Sequence, residues 1–157
     1  MRPLKSKIFN ALCKDMGAEH STLLFYCQAR WLSRGKFLQR VYELKEEIAT
    51  FLENRPEAKK FRDALFVMKL SYLVDIFEKL NTLNLQLQGA NTHMLDTSDK
   101  VSAFCRKLEL WSRNVKKNLE MFANVNESVK TYKEEEHYVK VVYCKNRNSF
   151  SHVGTEF

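Results

Sequence analysis

A chain of 157 residues is long enough for one domain of ordinary size and too short for two large ones. Hydrophobic residues make up 45% and charged residues 29%, as in soluble globular proteins, and only four glycines and two prolines leave few turn formers, which argues against an all-β sandwich and for long helices. The net charge of +7 is uneven: residues 1–60 carry 12 Lys/Arg against 7 Asp/Glu, whereas residues 126–157 carry 5 of each. A basic N-terminal third either attracts an anionic partner such as nucleic acid or forms a solvated helical surface with a lysine excess, and no run of five or more basic residues decides between the two.

In chain order, the first segment has charges at Lys14 and Asp15 and no long apolar run, so it does not read as a secretory signal. Ser6 to Met16 reads as a short amphipathic helix with Ile8, Leu12 and Met16 on its apolar side and Gly17 as its terminator. Leu23 to Arg30 is a short apolar and aromatic run without helical spacing, so it reads as a strand. A lone strand leaves its backbone edges unpaired. Either this segment is helical or its sheet partners lie outside the chain.

Three stripes with alternating spacings of three and four follow: Phe37–Val41–Leu44–Ile48–Phe51, then Phe66–Leu70–Leu73–Phe77–Leu80–Asn84–Leu87, then Val101–Phe104–Leu108–Trp111–Val115–Asn118–Phe122, apolar but for the two asparagines. Neighbouring apolar residues such as Leu38, Val74 and Leu119 widen the stripes beyond a narrow two-helix seam. The fold class expected is therefore mainly α, an antiparallel helical bundle with a short N-terminal helix and one orphan strand. Asn54, Arg55 and Pro56 separate the first long helix from the second, Gly89 suits the end of the second, and Asp96 or Thr97 suits the start of the third. The second helix would run about 30 residues, roughly 45 Å at the usual helical rise, with room for a kink near Asn81–Asn84. Asn84 and Asn118 interrupt seam positions; they either fix register through hydrogen bonds or reach water where helix ends splay. Beyond residue 125 the pattern fades into a fraying helix and a tail. The expected division is 1–33, 34–125 for the bundle, and 126–157 for a divergent, partly disordered end.

No catalytic constellation has usable spacing: there is no phosphate-binding glycine loop, no HExxH and no GxSxG. Cys13, Cys27, Cys105 and Cys144 are scattered and form no CxxC pair, so they read as thiols, with Cys27 and Cys105 as small buried apolar groups. Carboxylates such as Glu43, Glu46 and Glu47 read as solvated helix faces among lysines. No catalytic residue, metal, cofactor, membrane contact or small-molecule substrate is expected. The segment best suited to nucleic acid is Arg30-Trp31-Leu32-Ser33-Arg34-Gly35-Lys36. Trp31 can stack on a base, Arg30, Arg34 and Lys36 can neutralise phosphates, and Ser33 can cap the following helix. Equally, Trp31 can pack as a staple with the cations solvated.

The run QARWLSRGKFLQRVYELKEEIATFL resembles the RW-motif region of hAT-superfamily transposases. It is most similar to vertebrate domesticated derivatives associated with BED fingers, SCAN domains or TFII-I repeats. The resemblance extends over about residues 5–122, through IFNALCKDMGAEHSTLLFY upstream and LNLQLQG downstream. It implies an RNase H-like core interrupted by an all-α insertion, with residues 1–33 as a remnant of that core. It also implies that Trp31, beside Arg30, matches a tryptophan that supports a flipped base near a DNA end. The resemblance places the catalytic acids, the BED finger and the dimerisation segment outside this stretch. Relatives usually read HTEVRW where this chain has Tyr26-Cys27-Gln28-Ala29 before Arg30-Trp31, and the tail from about Thr131 also departs from the pattern. The expected function is a non-catalytic, nuclear, transposase-derived fragment that binds other proteins through helical surfaces and DNA weakly and nonspecifically. The alternatives are a nuclease subunit completed in trans, or a relic without function.

Overall fold

The computed structural model describes residues 3–24, 31–88, 93–113 and 119–132. The described residues form seven α-helices and one 3-10 turn, with no strand: α1 (Pro3–Asp15), α2 (Trp31–Glu43), α3 (Lys45–Phe51), α4 (Ala58–Arg62), α5 (Ala64–Leu87), α6 (Met94–Arg113), the 3-10 turn Leu119–Met121, and α7 (Ala123–Tyr132). The mainly helical expectation holds. Of the expected strand, Leu23 and Leu24 are irregular, and residues 25–30 lie outside the described residues, as do residues 133–157. By contacts the chain falls into two compact units, Met1–Val74 and Asp75–Phe157.

In the first unit, Gly17 ends α1 as its sequence position suggests. It adopts φ +73°, a conformation that a side chain disfavours. Its N–H bonds the carbonyl of Lys14 at 3.2 Å, and the N–H of Ala18 bonds that of Cys13 at 2.9 Å, which together form a Schellman motif. The buried face of α1 differs from the expected one. Phe9 and Cys13 are buried, whereas Ile8 and Met16 are exposed. The core meets the i, i+4 pair Phe9/Cys13, one position along from Ile8/Leu12.

Leu44 divides the first long stripe into α2 and α3. Its φ of −95° and ψ of 22° depart from helical values. The hydrogen-bond ladder nevertheless runs through it, from Leu44 N–H to Arg40 at 3.1 Å and from Ile48 N–H to Leu44 at 2.9 Å. This local departure coincides with deep burial of Leu44 in a cluster with Phe9, Cys13 and Ile48, flanked by Val41, Phe51, Leu52 and Phe61. Phe9 meets Phe51 edge-to-face at 5.3 Å.

The second long helix begins later than Pro56 suggests, because Asp63 interrupts it. Asp63 has φ −82° and ψ 118° and accepts the Phe66 N–H on Oδ2 at 3.2 Å, the geometry of an N-cap. From there α5 runs unbroken as helix through Asn81 and Asn84. Val67, Met68, Leu70, Ser71, Tyr72 and Val74 are buried along it, while Leu73, a member of the expected stripe, is exposed. An almost all-round apolar run cannot show from spacing alone which side stays wet.

In the second unit, α6 starts at Met94, so Asp96 and Thr97 lie inside the helix; the Thr97 hydroxyl and N–H both bond the His93 carbonyl. Helix α6 ends at Arg113, and Phe122 belongs to the separate start of α7. Lys100 ties α6 to the end of α5 by donating to the Gln86 carbonyl at 3.0 Å. Asn118 lies outside the described residues. Asn84 is partly buried, with its Nδ2 shielded from solvent and without a hydrogen-bond partner; the same holds for Asn81 Oδ1. No described helix is long and apolar enough to cross a membrane.

Candidate nucleic-acid interface and a carboxylate–ammonium clamp

The proposed nucleic-acid residues cluster at one helix start. Trp31 is the first residue of α2, and Arg34 and Lys36 are exposed on its first turns. Arg30 and the Trp31 side chain, on which the stacking and staple readings rest, lie outside the described residues. Because α2 already begins at Trp31, Ser33 is the third helical residue and is not in the capping position. Arg34 makes a contact within the chain. Further along, Arg40 is committed internally: Nη1 donates to the Thr22 carbonyl at 3.1 Å and Nε to Glu43 at 3.2 Å. Glu43 also accepts from Gln39 at 2.9 Å and lies 3.5 Å from His20 Nε2. This polar cluster ties the 18–24 segment to the last turn of α2.

Two corrections concern groups expected at the surface or in the core. Glu47 is buried, with Oε2 unpartnered, because α3 turns this face inward with Ile48 and Ala49. It lies close enough to Cys13 to act on it electrostatically. Desolvation first, and the Glu47 carboxylate second, push the buried Cys13 thiol above its ordinary value. Cys105, expected in a core, is exposed on α6, whose inward stripe runs through Phe104 and Leu108 instead. Cys27 lies outside the described residues. Among the described residues no group of three or more His, Cys, Asp or Glu is placed to hold a metal ion.

A cluster that spacing did not reveal lies in the second unit. Asp75 is 1% exposed in the middle of α5. Its Oδ1 accepts from Asn124 Nδ2 at 2.7 Å and from the Asn124 N–H at 3.3 Å, and Oδ2 accepts from the Val125 N–H at 3.0 Å. A carboxylate fifty residues upstream thus satisfies the free N–H groups at the start of α7, where the helix dipole favours negative charge. One turn along α5, Lys79 Nζ donates to the Met121 carbonyl at 2.6 Å. The same ammonium lies 5.3 Å from the Trp111 ring centre and 5.1 Å from that of Phe122. Trp111 meets Phe122 edge-to-face at 5.5 Å and Phe104 at 6.2 Å. Asp75 and Lys79 therefore grip the two sides of the turn into α7. The available signal was a lone acid in the apolar run LSYLVDIF.

A family model for the FAM200/GTF2IRD2 helical domain matches residues 1–116. The chain belongs to this family. The matched stretch takes in the whole first unit, with its Phe9–Cys13–Leu44–Ile48 core, and all of α5 and α6. The chain is also similar to the General transcription factor II-I repeat domain-containing protein 2 of Bos taurus, with 34% identity over 118 residues. That match covers 74% of this chain and 12% of the bovine protein, so the chain spans a small part of its relative's length. No solved structure matches. Helix α7, whose start the clamp holds, lies beyond the stretch that the family model matches.

Proposed function

We propose that this chain is a non-catalytic helical module of hAT-type, transposase-derived origin that works in the nucleus by binding another protein through its helical surfaces. The observation that carries this reading is how α6 is packed. Thr97, Lys100, Phe104, Leu108 and Trp111 form one partly buried stripe, while Met94, Leu95, Val101 and Leu110 are exposed at 90%, 80%, 40% and 58%. Scattered exposed apolar residues are ordinary, but several large ones on one helix mark a surface suited to a protein partner. The resemblance to transposase derivatives and the name of the bovine relative both support a nuclear setting.

The test is comparative capture from nuclear extract, with the full chain set beside Leu95→Glu and Leu110→Glu variants. Proteins retained by the parent and lost from the variants support the reading; identical retention by all three removes α6 as the binding surface, and a parent chain that retains nothing above a blank resin overturns the protein-binding reading as a whole.

DNA binding is the weaker part of the same proposal. Arg34 and Lys36 would contact phosphates, with Trp31 against a base, and binding would be insensitive to sequence. Removing one phosphate-binding cation should flatten the log–log salt dependence of binding to duplex DNA by about 0.9. Arg34→Ala together with Lys36→Ala should therefore flatten it by about 2. An unchanged slope removes these residues from the interface.

A further inference from the structure

Helix α1 has two apolar faces, and the core uses only one. Phe9 and Cys13 point inward. Leu4 and Ile8, at 69% and 52% exposed, form a second i, i+4 pair, continued by exposed Ala11 and half-buried Leu12. At 100° per residue, Lys7 and Lys14 fall on one edge of this strip and Lys5 on the other. All three lysines are exposed, and Asp15, the one acid on the helix, lies in line with Leu4 and Ile8 at the last turn, so it closes the C-terminal end of the strip and the basic rim flanks its Leu4–Ile8 part. Covering Leu4 and Ile8 with another apolar surface would be favourable, so leaving them in water has a standing cost.

We propose that the Leu4–Ile8–Leu12 strip of α1 docks an acidic amphipathic helix of a partner protein, a proposal that rests on the protein-binding reading above and specifies a surface and a partner chemistry for it. The occupant follows from the charge pattern. A partner helix placing apolar residues at i, i+3 and i+4 on this strip brings its flanking positions against Lys5 on one side and Lys7 and Lys14 on the other. Glutamates or aspartates at those positions complete the lysine rim, and basic residues are repelled. A lipid surface fits less well, because the strip offers no aromatic anchor: Phe9, the one aromatic residue of α1, is in the core. Nucleic acid fits less well because the centre of the strip is apolar.

The test uses the full chain and two synthetic helical peptides with the same leucine spacing, one flanked by glutamates and one by lysines, with binding read by fluorescence anisotropy. The glutamate peptide should bind and the lysine peptide should not. Ile8→Glu should weaken binding about tenfold, as expected for losing one buried aliphatic side chain. Lys7→Glu with Lys14→Glu should weaken it several-fold at low salt, with the difference shrinking as salt rises. Ile8 and both lysines are exposed, so these variants leave the core intact, and circular dichroism of each verifies this. Equal binding of both peptides, no binding of the glutamate peptide, or binding that Ile8→Glu leaves unchanged overturns the proposal. So does binding of Ile8-dependent strength to vesicles of phosphatidylserine and phosphatidylcholine in place of the peptide. If Leu95→Glu and Leu110→Glu abolish glutamate-peptide binding while Ile8→Glu does not, the α1 proposal fails and the general protein-binding reading survives on α6.

Discussion

Asp75 offers the most direct test of how the second unit is held together. Its carboxylate receives three hydrogen bonds from Asn124 and Val125, two of them from backbone N–H groups at the start of α7. Asp75→Ala removes a cap, which in other helices costs about 0.5–2 kcal/mol. It also takes the acceptor from the buried Val125 N–H, which water does not readily replace, at about 1–3 kcal/mol. Relief from desolvating a carboxylate offsets part of this, so we expect a net loss of about 3 kcal/mol. With a urea slope near 2 kcal/mol per M, the midpoint should fall by about 1.5 M. Asp75→Asn keeps one acceptor oxygen and loses the charge that the helix dipole favours, so its loss should be about half as large. The assay is urea unfolding followed by far-UV circular dichroism, repeated with Asn124→Ala and the double variant. The two single losses should not add, because both variants remove the same interaction. A loss below about 0.5 kcal/mol for Asp75→Ala, the level of an ordinary surface substitution, would refute the capping argument.

Other expectations follow from the same packing. Phe9→Ala empties the centre of the first core and should cost about 3–5 kcal/mol in the same urea assay. Lys79→Met removes the bond to the Met121 carbonyl and the cation over two rings, and should cost about 1–2 kcal/mol, with a change in tryptophan fluorescence as Trp111 loosens. The raised Cys13 thiol should be alkylated far more slowly at mildly alkaline pH than exposed Cys105, as read by peptide-resolved mass spectrometry, and Glu47→Gln should narrow the gap. Because folding raises this thiol's value, its contribution to stability is fully present below the ordinary thiol value and is lost as pH rises through the raised one. The urea midpoint should therefore decline on the alkaline side, and less steeply in Cys13→Ala.

Helix content was legible in the sequence because stripes at three- and four-residue spacing have no other ready explanation, and Gly17 marked an end that the structure confirms. Which face turns inward was harder to read. In α1 two adjacent apolar pairs, Ile8/Leu12 and Phe9/Cys13, satisfy the same spacing, and tertiary packing chose the second. In α5 the run from Val67 to Ile76 is apolar nearly all round, so the exposure of Leu73 has no local signature. Helix breaks at Leu44 and Asp63 were missed for different reasons. Leu44 is drawn into a core, a tertiary effect, whereas the cap formed by Asp63 was readable from an acid three residues before Phe66. The partners of Asp75 and Lys79 lie about 30 to 50 residues away, beyond the reach of any spacing rule. At the segment read as suited to nucleic acid, Arg34 and Lys36 lie exposed at the start of α2, and Ser33 was misplaced, because the helix begins three residues earlier than a Ser33 cap requires.

The measurement that bears most directly on whether this chain folds by itself is urea unfolding of the purified full chain, followed by far-UV circular dichroism. The expected result is a strongly helical spectrum lost in a cooperative transition, because the Phe9–Ile48 core and the Asp75 clamp are both made from residues of this chain alone. A weak signal that drifts with urea and shows no transition would contradict it, since the helices would then depend on surfaces that this chain does not carry.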